Sequence, residues 1–473
     1  MIQKPTSRRE RRGERGQTIA LVALAMVALL GMAALAIDVV SLYLARAEAQ
    51  RAADAAALAG AKMFVNSGYT SVQSAGPLAP VVQSDVCVTG SPGTGAANLQ
   101  AVAAAQANTI AGQQATVQNI TCNFANPGNP QITVTVQQTG LSGFFSRIWS
   151  RTASTVSATA TAEAYNPSGY SNQIQVTGVK PWLVANCDPN NTSGGGNPNC
   201  PNGGGGRYNY FIDASGNPAN NGQAIGQIVE LTRVSLTGTP TAGSFYPIDL
   251  GNNVGACPSP GADWDGCDNL NTDYQQNIAC ASQATLQCGT QSVSVLSSGG
   301  GGFGGGLTSQ TRSATHCLIH EDDQDGTCQG QDYFLPTRTG GGGGSCSSQY
   351  SGTAPIRIEG DYNNPDQNLG NSHNISRSDS VVTVPVYDGS NLNGSPACSG
   401  STCNLNIVGF LQLGIRCTLN DTNCSTSGGG GGGGGGGPIL EAIVINEVGC
   451  PATPTTPAVT GSGAAPIPVR LIH

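Results

Sequence analysis

Charge and aromatic side chains are scarce in this sequence: 10% of its residues are Asp, Glu, Lys or Arg, and 5% are Phe, Trp or Tyr. Globular domains usually carry roughly a quarter charged residues. Here Asn, Gln, Ser and Thr supply the surface polarity instead, as in secreted and surface-displayed chains. Histidine is rarer still, with four in 473 residues. No Gly-x-Ser-x-Gly string occurs, and no glycine tract ends in Gly-Lys-Ser or Gly-Lys-Thr, which excludes a nucleophile elbow and a P-loop. The sequence therefore reads as non-catalytic, with no small-molecule substrate evident.

Cysteine is missing from the first 86 residues, and all 16 fall from Cys87 onward. No pair is as close as Cys-x-x-Cys, the nearest being Cys398 and Cys403, so zinc-ribbon spacing is absent. An even count on one side of an apolar segment points to disulfides in an oxidising compartment, with a zinc site as the rival reading. Positive charge is scarce too, except at the start. Lys4, Arg8, Arg9, Arg11, Arg12 and Arg15, less Glu10 and Glu14, give the first fifteen residues +4; subtracting this from the overall −8 leaves −12 for the rest. So acidic a remainder repels phosphate, which argues against nucleic-acid binding.

What is abundant is glycine (67) and proline (27), together about a fifth of the chain, a composition of long loops. There is also one long apolar run, Ile19 to Ile37. At 1.5 Å per residue these 19 residues cover most of a ~30 Å hydrocarbon core. The basic cluster before it predicts a cytoplasmic N-terminus and a translocated remainder, in the periplasm or outside the cell. A cleaved signal peptide is the alternative, given Ala33-Ala34-Leu35-Ala36. Against it, the helical pattern continues past Asp38 to Gly60 without a breaker. Along that continuation Ala45, Ala49, Ala52, Ala56 and Ala59 recur at three- and four-residue steps, predicting a small-residue packing stripe.

The stretch RGQTIALVALAMVALLGMAALAIDVVSLYLARAEAQRAADAAALAGA, residues 15–61, closely resembles the N-terminal segment of TadG-like and TadE-like proteins of Flp pilus assembly. Gly16, Gln17, Asp38, Tyr43, Arg46, Gln50, Ala53, Asp54, Ala55, Ala56, Leu58 and Ala59 occupy that family's places. The resemblance implies a membrane-anchored component of a pilus system, with other pilus-assembly proteins as partners, and weakly extends to residue 165. Two departures stand out. If Gly16 were a prepilin-peptidase site, Leu21 would occupy the position of its Glu. The strings nearest a von Willebrand A metal motif, at Asp213-Ala-Ser215-Gly-Asn217 and Asp388-Gly-Ser390-Asn-Leu392, both lack the second Ser.

The expected fold class is α+β. The transmembrane helix continues into a pilin-like domain, residues 38–165, in which one long helix packs on a small antiparallel sheet. Ala96–Ile110 is a second helix, and Thr116–Thr121, Gln131–Gln137 and Thr155–Tyr165 are strands. A β-rich domain with disulfide staples follows over 172–473. Its strands are Ile174–Val179, Ile225–Val234, Ile356–Glu359, Val381–Val386, Leu405–Ile415, Ile439–Val448 and Val469–Ile472, expected to pair antiparallel. Glycine tracts at 194–196, 203–206, 299–306, 340–344 and 428–437 separate them as disordered insertions. Proximity pairs Cys87 with Cys122, Cys187 with Cys200, Cys257 with Cys267, Cys280 with Cys288, Cys317 with Cys328, Cys398 with Cys403, and Cys417 with Cys424, leaving Cys346 and Cys450 over.

Two strings invite a metal. Glu321, Asp323 and Asp325 alternate before Gly326, and Asp332 falls where a twelve-residue calcium loop closes. A solvated acidic loop is the plainer reading, and Asp263-Trp-Asp265-Gly266-Cys-Asp268 is a weaker case of the same kind. His316 and His320 have the spacing of zinc ligands on a helix, but Thr315–His320 reads equally well as a strand, and the order is not His-Glu-x-x-His. A metal-dependent envelope hydrolase built on these groups, and an adhesin using the same anchor, are the rivals to the pilus reading.

Overall fold

The computed structural model describes residues 14–72, 81–90, 92–141, 143, 153–168, 172–187, 210–234, 243–255, 257, 267, 270–296, 306–320, 332–335, 356–360, 378–388, 398–419, 439–451, 456–461 and 466–472. Helix α1 (Glu14–Asn66) is one uninterrupted helix of 53 residues, about 80 Å long at 1.5 Å per residue. It does two jobs along its length. From Ile19 to Leu44 its large apolar side chains are exposed apart from half-buried Leu42, whereas from Ala45 onward one face is fully buried. The helix ends at Gly68, whose φ of 78° favours glycine and where a Cβ would lie 2.5 Å from Ile225 and 2.6 Å from the Ile445 carbonyl oxygen.

The buried half of α1 lies on a sheet. After α2 (Gln83–Val86) and α3 (Ala96–Gln106) come β1 (Thr109–Ile110) and β2 (Gln113–Gln114), which pair only with each other. Strands β3 (Thr116–Asn123), β4 (Gln131–Leu141) and β5 (Ser154–Ala164) then form an antiparallel meander. Alternation puts Ile132, Val134, Val136, Ala158, Ala160 and Ala162 on the buried face. Thr133–Thr161 and Thr135–Thr159 hydrogen bonds line the other face. Alanine on both surfaces lets helix and sheet approach closely. Helix α3 stops four residues short of the expected Ile110, because Asn108 turns the chain and its side chain caps the Ala104 carbonyl.

The rest of the chain supplies β6 (Asn172–Thr177), β7 (Trp182–Ala185), β8 (Ile228–Arg233), β9 (Ser244–Asp249), α4 (Asp273–Ala279), β10 (Thr285–Gln287), β11 (Gly289–Val295), α5 (Leu307–Ile319), β12 (Asp332–Leu335) and β13 (Arg357–Gly360). It ends with β14 (Val381–Tyr387), β15 (Cys398–Ser399), β16 (Thr402–Thr418), β17 (Leu440–Gly449), β18 (Thr456–Gly461) and β19 (Val469–Ile472). Pairing runs from β16 to β14, β7, β9, β8 and β17, and β17 pairs back onto β16, so the circuit closes into a six-stranded barrel. β11 pairs with both β16 and β9 at one end. The antiparallel expectation fails at β14–β7, β8–β9 and β18–β6, which are parallel. The expectation also missed β7, β9, β10, β11, β12, β15 and β18. β7 is four residues long, β9 carries Pro247, and β11 alternates glutamine, serine and threonine with only two valines.

Two contacts cross the expected boundary near residue 170. β19 pairs antiparallel with β5, extending the anchor-side sheet to β19-β5-β4-β3. One continuous apolar core then runs from Ala52 and Val134 through Val184 and Leu411 to Val444.

Three expected disulfides give way to others. Cys257 pairs with Cys280, Cys267 with Cys317, and Cys288 with Cys450 across 162 positions. Proximity in sequence misled because α4 and α5 pack together and carry their cysteines to distant loops. Cys87–Cys122 and Cys398–Cys403 form as expected. Cys187 and Cys417 are also disulfide-bonded. Cys200, Cys328, Cys346, Cys424 and the glycine tracts, apart from Gly306, lie outside the described residues, as does Phe144–Trp149.

Candidate functional site

The first candidate surface is α1 itself. Its described stretch Thr18–Asn66 is the one helix among the described residues long and apolar enough to cross a membrane. Leu21, Leu24, Val27, Leu30 and Leu35 lie open around it. Asp38 interrupts the exposed apolar stretch and is itself buried, while Ser41 Oγ donates to its carbonyl at 2.8 Å. Beyond it the residues of the family pattern divide. Tyr43 and Arg46 point outward, as polar-tipped side chains do at a membrane boundary. Gln50 turns inward, donating to Asp54 at 2.8 Å and to the Thr159 carbonyl of β5 at 3.4 Å. Glu48 accepts from the Ala111 amide at 2.7 Å.

Ala45, Ala49, Ala52 and Ala56 are buried within this same chain, joined by Ala53, Ala57 and Ala61; Ala59 is half-buried beside them. The stripe is therefore occupied by α3, β4 and β5 of the chain itself. What the chain leaves open on α1 is the stretch before Ala45.

The second candidate is the joint where α1 meets the barrel. Asn446 of β17 donates to the Val65 carbonyl and, at 2.7 Å, to Gln412 Oε1. Its own oxygen accepts from Thr70 at 3.0 Å and Ser71 at 2.9 Å. Ser71 Oγ accepts from the Glu447 amide at 2.8 Å and donates to the Glu447 carbonyl at 3.0 Å. Asn166 bridges the Thr70 and Glu447 carbonyls at 2.9 and 3.2 Å. All of these groups are buried, so each lost bond leaves a polar atom without water to replace it. Sequence reasoning missed this network. Its signal was the polar pair Asn446-Glu447 interrupting the apolar run Ile439–Val448.

The metal-suggesting strings have other employment or lie out of view. Glu321, Asp323 and Asp325 are outside the described residues, as are Asp263, Asp265 and Asp268; Asp332 is buried at the start of β12, paired with Gly360. Thr315–Ile319 is helical, ending at His320 with a left-handed φ of 53°. His316 Nε2 bonds Thr418 Oγ1 at 2.8 Å, whereas His320 Nε2 lies 3.5 Å from Asp379. Asp213 caps a turn, accepting from the Ser215 and Asn217 amides. Among the described residues no group of three or more His, Cys, Asp or Glu is placed to hold a metal. Lys180, also unremarked in the sequence, is buried and donates to the Ile278 and Cys280 carbonyls at 2.5 and 3.0 Å, closing the end of α4. Burial pulls its ammonium down to about 7, against the attraction of Asp379.

Residues 16–63, the length of α1 through its buried alanines, match the Tad family model, described as Flp pilus-assembly TadE/G-like. The match covers about a tenth of the chain and makes this segment Tad-like. No curated protein and no solved structure matches the chain. The matched residues take in the exposed apolar stretch and the buried alanines of α1, and the barrel strands lie outside the match.

Proposed function

We propose that the chain is a non-catalytic structural or assembly component of a Tad/Flp-type pilus system, anchored by one helix in the cytoplasmic membrane. The observation that supports this most is the continuity of the Tad helix. The same 53-residue helix offers apolar surface for lipid and for neighbouring helices and then becomes the core helix of the first sheet. Displacement of the anchor by a partner would be transmitted to the barrel through a rigid element rather than a linker. The N-terminus is cytoplasmic and the barrel lies in the periplasm or beyond, which fits the basic start and the disulfides.

The test has two parts. A phosphatase reporter fused after residue 165 is expected to be active outside the cytoplasm; activity inside reverses the orientation. In-frame deletion of the gene is expected to remove or shorten pili seen by electron microscopy, with restoration by the intact gene. Unchanged pili in the deletion strain overturn the assembly role.

A further inference from the structure

The register across β14, β16 and β17 sorts side chains onto two faces. Thr383, Gln412 and Asn446 stand opposite one another, as do Val384, Leu411 and Glu447. Successive residues of a strand point to opposite sides. The first set faces outward, because Asn446 reaches the end of α1 and Gly414, two residues along from Gln412, lies against Phe334 of β12. The second set therefore faces the inside of the closed barrel, together with Val386 and its neighbour Val184. Glu447 directs its carboxyl into that interior. The side chain is fully buried, and neither carboxyl oxygen has a hydrogen-bond partner among the described residues. Its own amide and carbonyl, by contrast, are fastened to Ser71 and Asn166 at the joint with the anchor helix.

We propose that Glu447 is a proton-operated latch: while its carboxyl keeps a proton the barrel and the joint stay closed, and loss of the proton draws water to β17 and loosens the hold on the anchor helix. An ionised carboxylate without a partner inside a barrel is strongly disfavoured. Burial alone accordingly holds the group well above the usual carboxylate range. Its cross-strand neighbours Leu411 and Val384 are uncharged. Titratable groups on the elements around it include Lys62 on α1, Tyr69 just beyond it, Arg416 on β16, Tyr387 on β14, Glu441 on β17, and Glu230 and Arg233 on β8. Arg416 and Glu441 are engaged with each other. Lys62, half-buried and pulled down by burial to about 8, acts with the opposite sign: losing its charge as pH rises relieves a cost. Glu447 binds its proton more tightly folded than unfolded. Its stabilising share is thus complete below about pH 4.5 and is lost as pH rises through its raised value.

The test uses the full-length protein in detergent micelles. Hydrogen exchange of residues 65–72 and 443–449, corrected for intrinsic rates, is followed from pH 6 to 9. Opening in the wild type is expected to rise up to about tenfold per pH unit while the closed form still holds the Glu447 proton, and to level off once that form ionises. Glu447→Gln, which keeps the shape and cannot titrate, is expected to lose that rise and keep only the opposite slope from Lys62 and Lys180; if it fails to fold, Glu447→Leu serves the same purpose. Ser71→Ala should raise exchange at every pH. A wild-type profile that rises no more steeply than that of the Glu447 variant that folds overturns the latch.

Discussion

Arg470 pairs with Glu163 at 2.6 Å across 307 positions of sequence. The carboxylate is almost fully buried while the guanidinium is 62% exposed, and the latter also lies 5.3 Å over the Tyr165 ring. The bond fixes β19 to the edge of β5, so the sheet that receives the anchor helix is completed from the far end of the chain. Anchor module and barrel therefore form one unit, held at this edge and at the Asn446 joint.

Deleting residues 469–472 should strip the β5 edge and leave Glu163 buried without its cation. A buried acceptor that loses its partner costs about 1–3 kcal/mol, and the bared edge invites pairing between chains. The expected result is a lower denaturant midpoint, with faster proteolysis within 154–164. Equal midpoints would show that β19 is an ornament on an already stable sheet.

Ala52 and Ala56 sit at 0% exposure against the sheet, while Arg51 on the same turn is exposed. Ala52→Leu and Ala56→Leu should each cost ~1–3 kcal/mol by overpacking, and Arg51→Gln should change little. Protease resistance of the three variants in membranes checks this. Leucine variants that resist protease like the wild type would refute close packing of α1 on β4 and β5.

Peptide mapping without reduction should recover Cys257–Cys280, Cys267–Cys317 and Cys288–Cys450 as linked peptides. The last closes the longest loop of the three, so replacing both its cysteines with serine should cost about 2–5 kcal/mol. Linked peptides joining Cys257 to Cys267 instead would contradict the packing of α4 on α5.

Lys180 should give the protein a stability that rises with pH. Its folded value of about 7 lies below the usual 10.5, so between these the unfolded chain holds a proton that the folded chain does not. The slope contributed is at most about 1.4 kcal/mol per pH unit. Urea midpoints at pH 6.5, 8 and 9.5 for wild type and Lys180→Met isolate it, since Lys62 and Glu447 are common to both. The gap between the two proteins should widen with pH. A constant gap would mean that Lys180 keeps its charge throughout.

The sequence by itself determined the anchor, because a lipid-spanning helix and its alanine continuation are written in local spacing. It also determined most strands of the anchor-side sheet, where alternation of Val, Ile and Ala with Thr and Gln is a property of neighbouring residues. Only the tertiary structure decided the barrel's closure, its parallel pairs and the three rearranged disulfides. Those depend on which segments meet across tens or hundreds of residues, and β7 and β11 are too short or too polar to announce themselves. The same holds for Asn446 and Glu447. In the sequence they are two polar residues in an apolar run. Burial, and the face each one takes in β17, makes one a bond to the anchor helix and the other a carboxyl sealed inside the barrel.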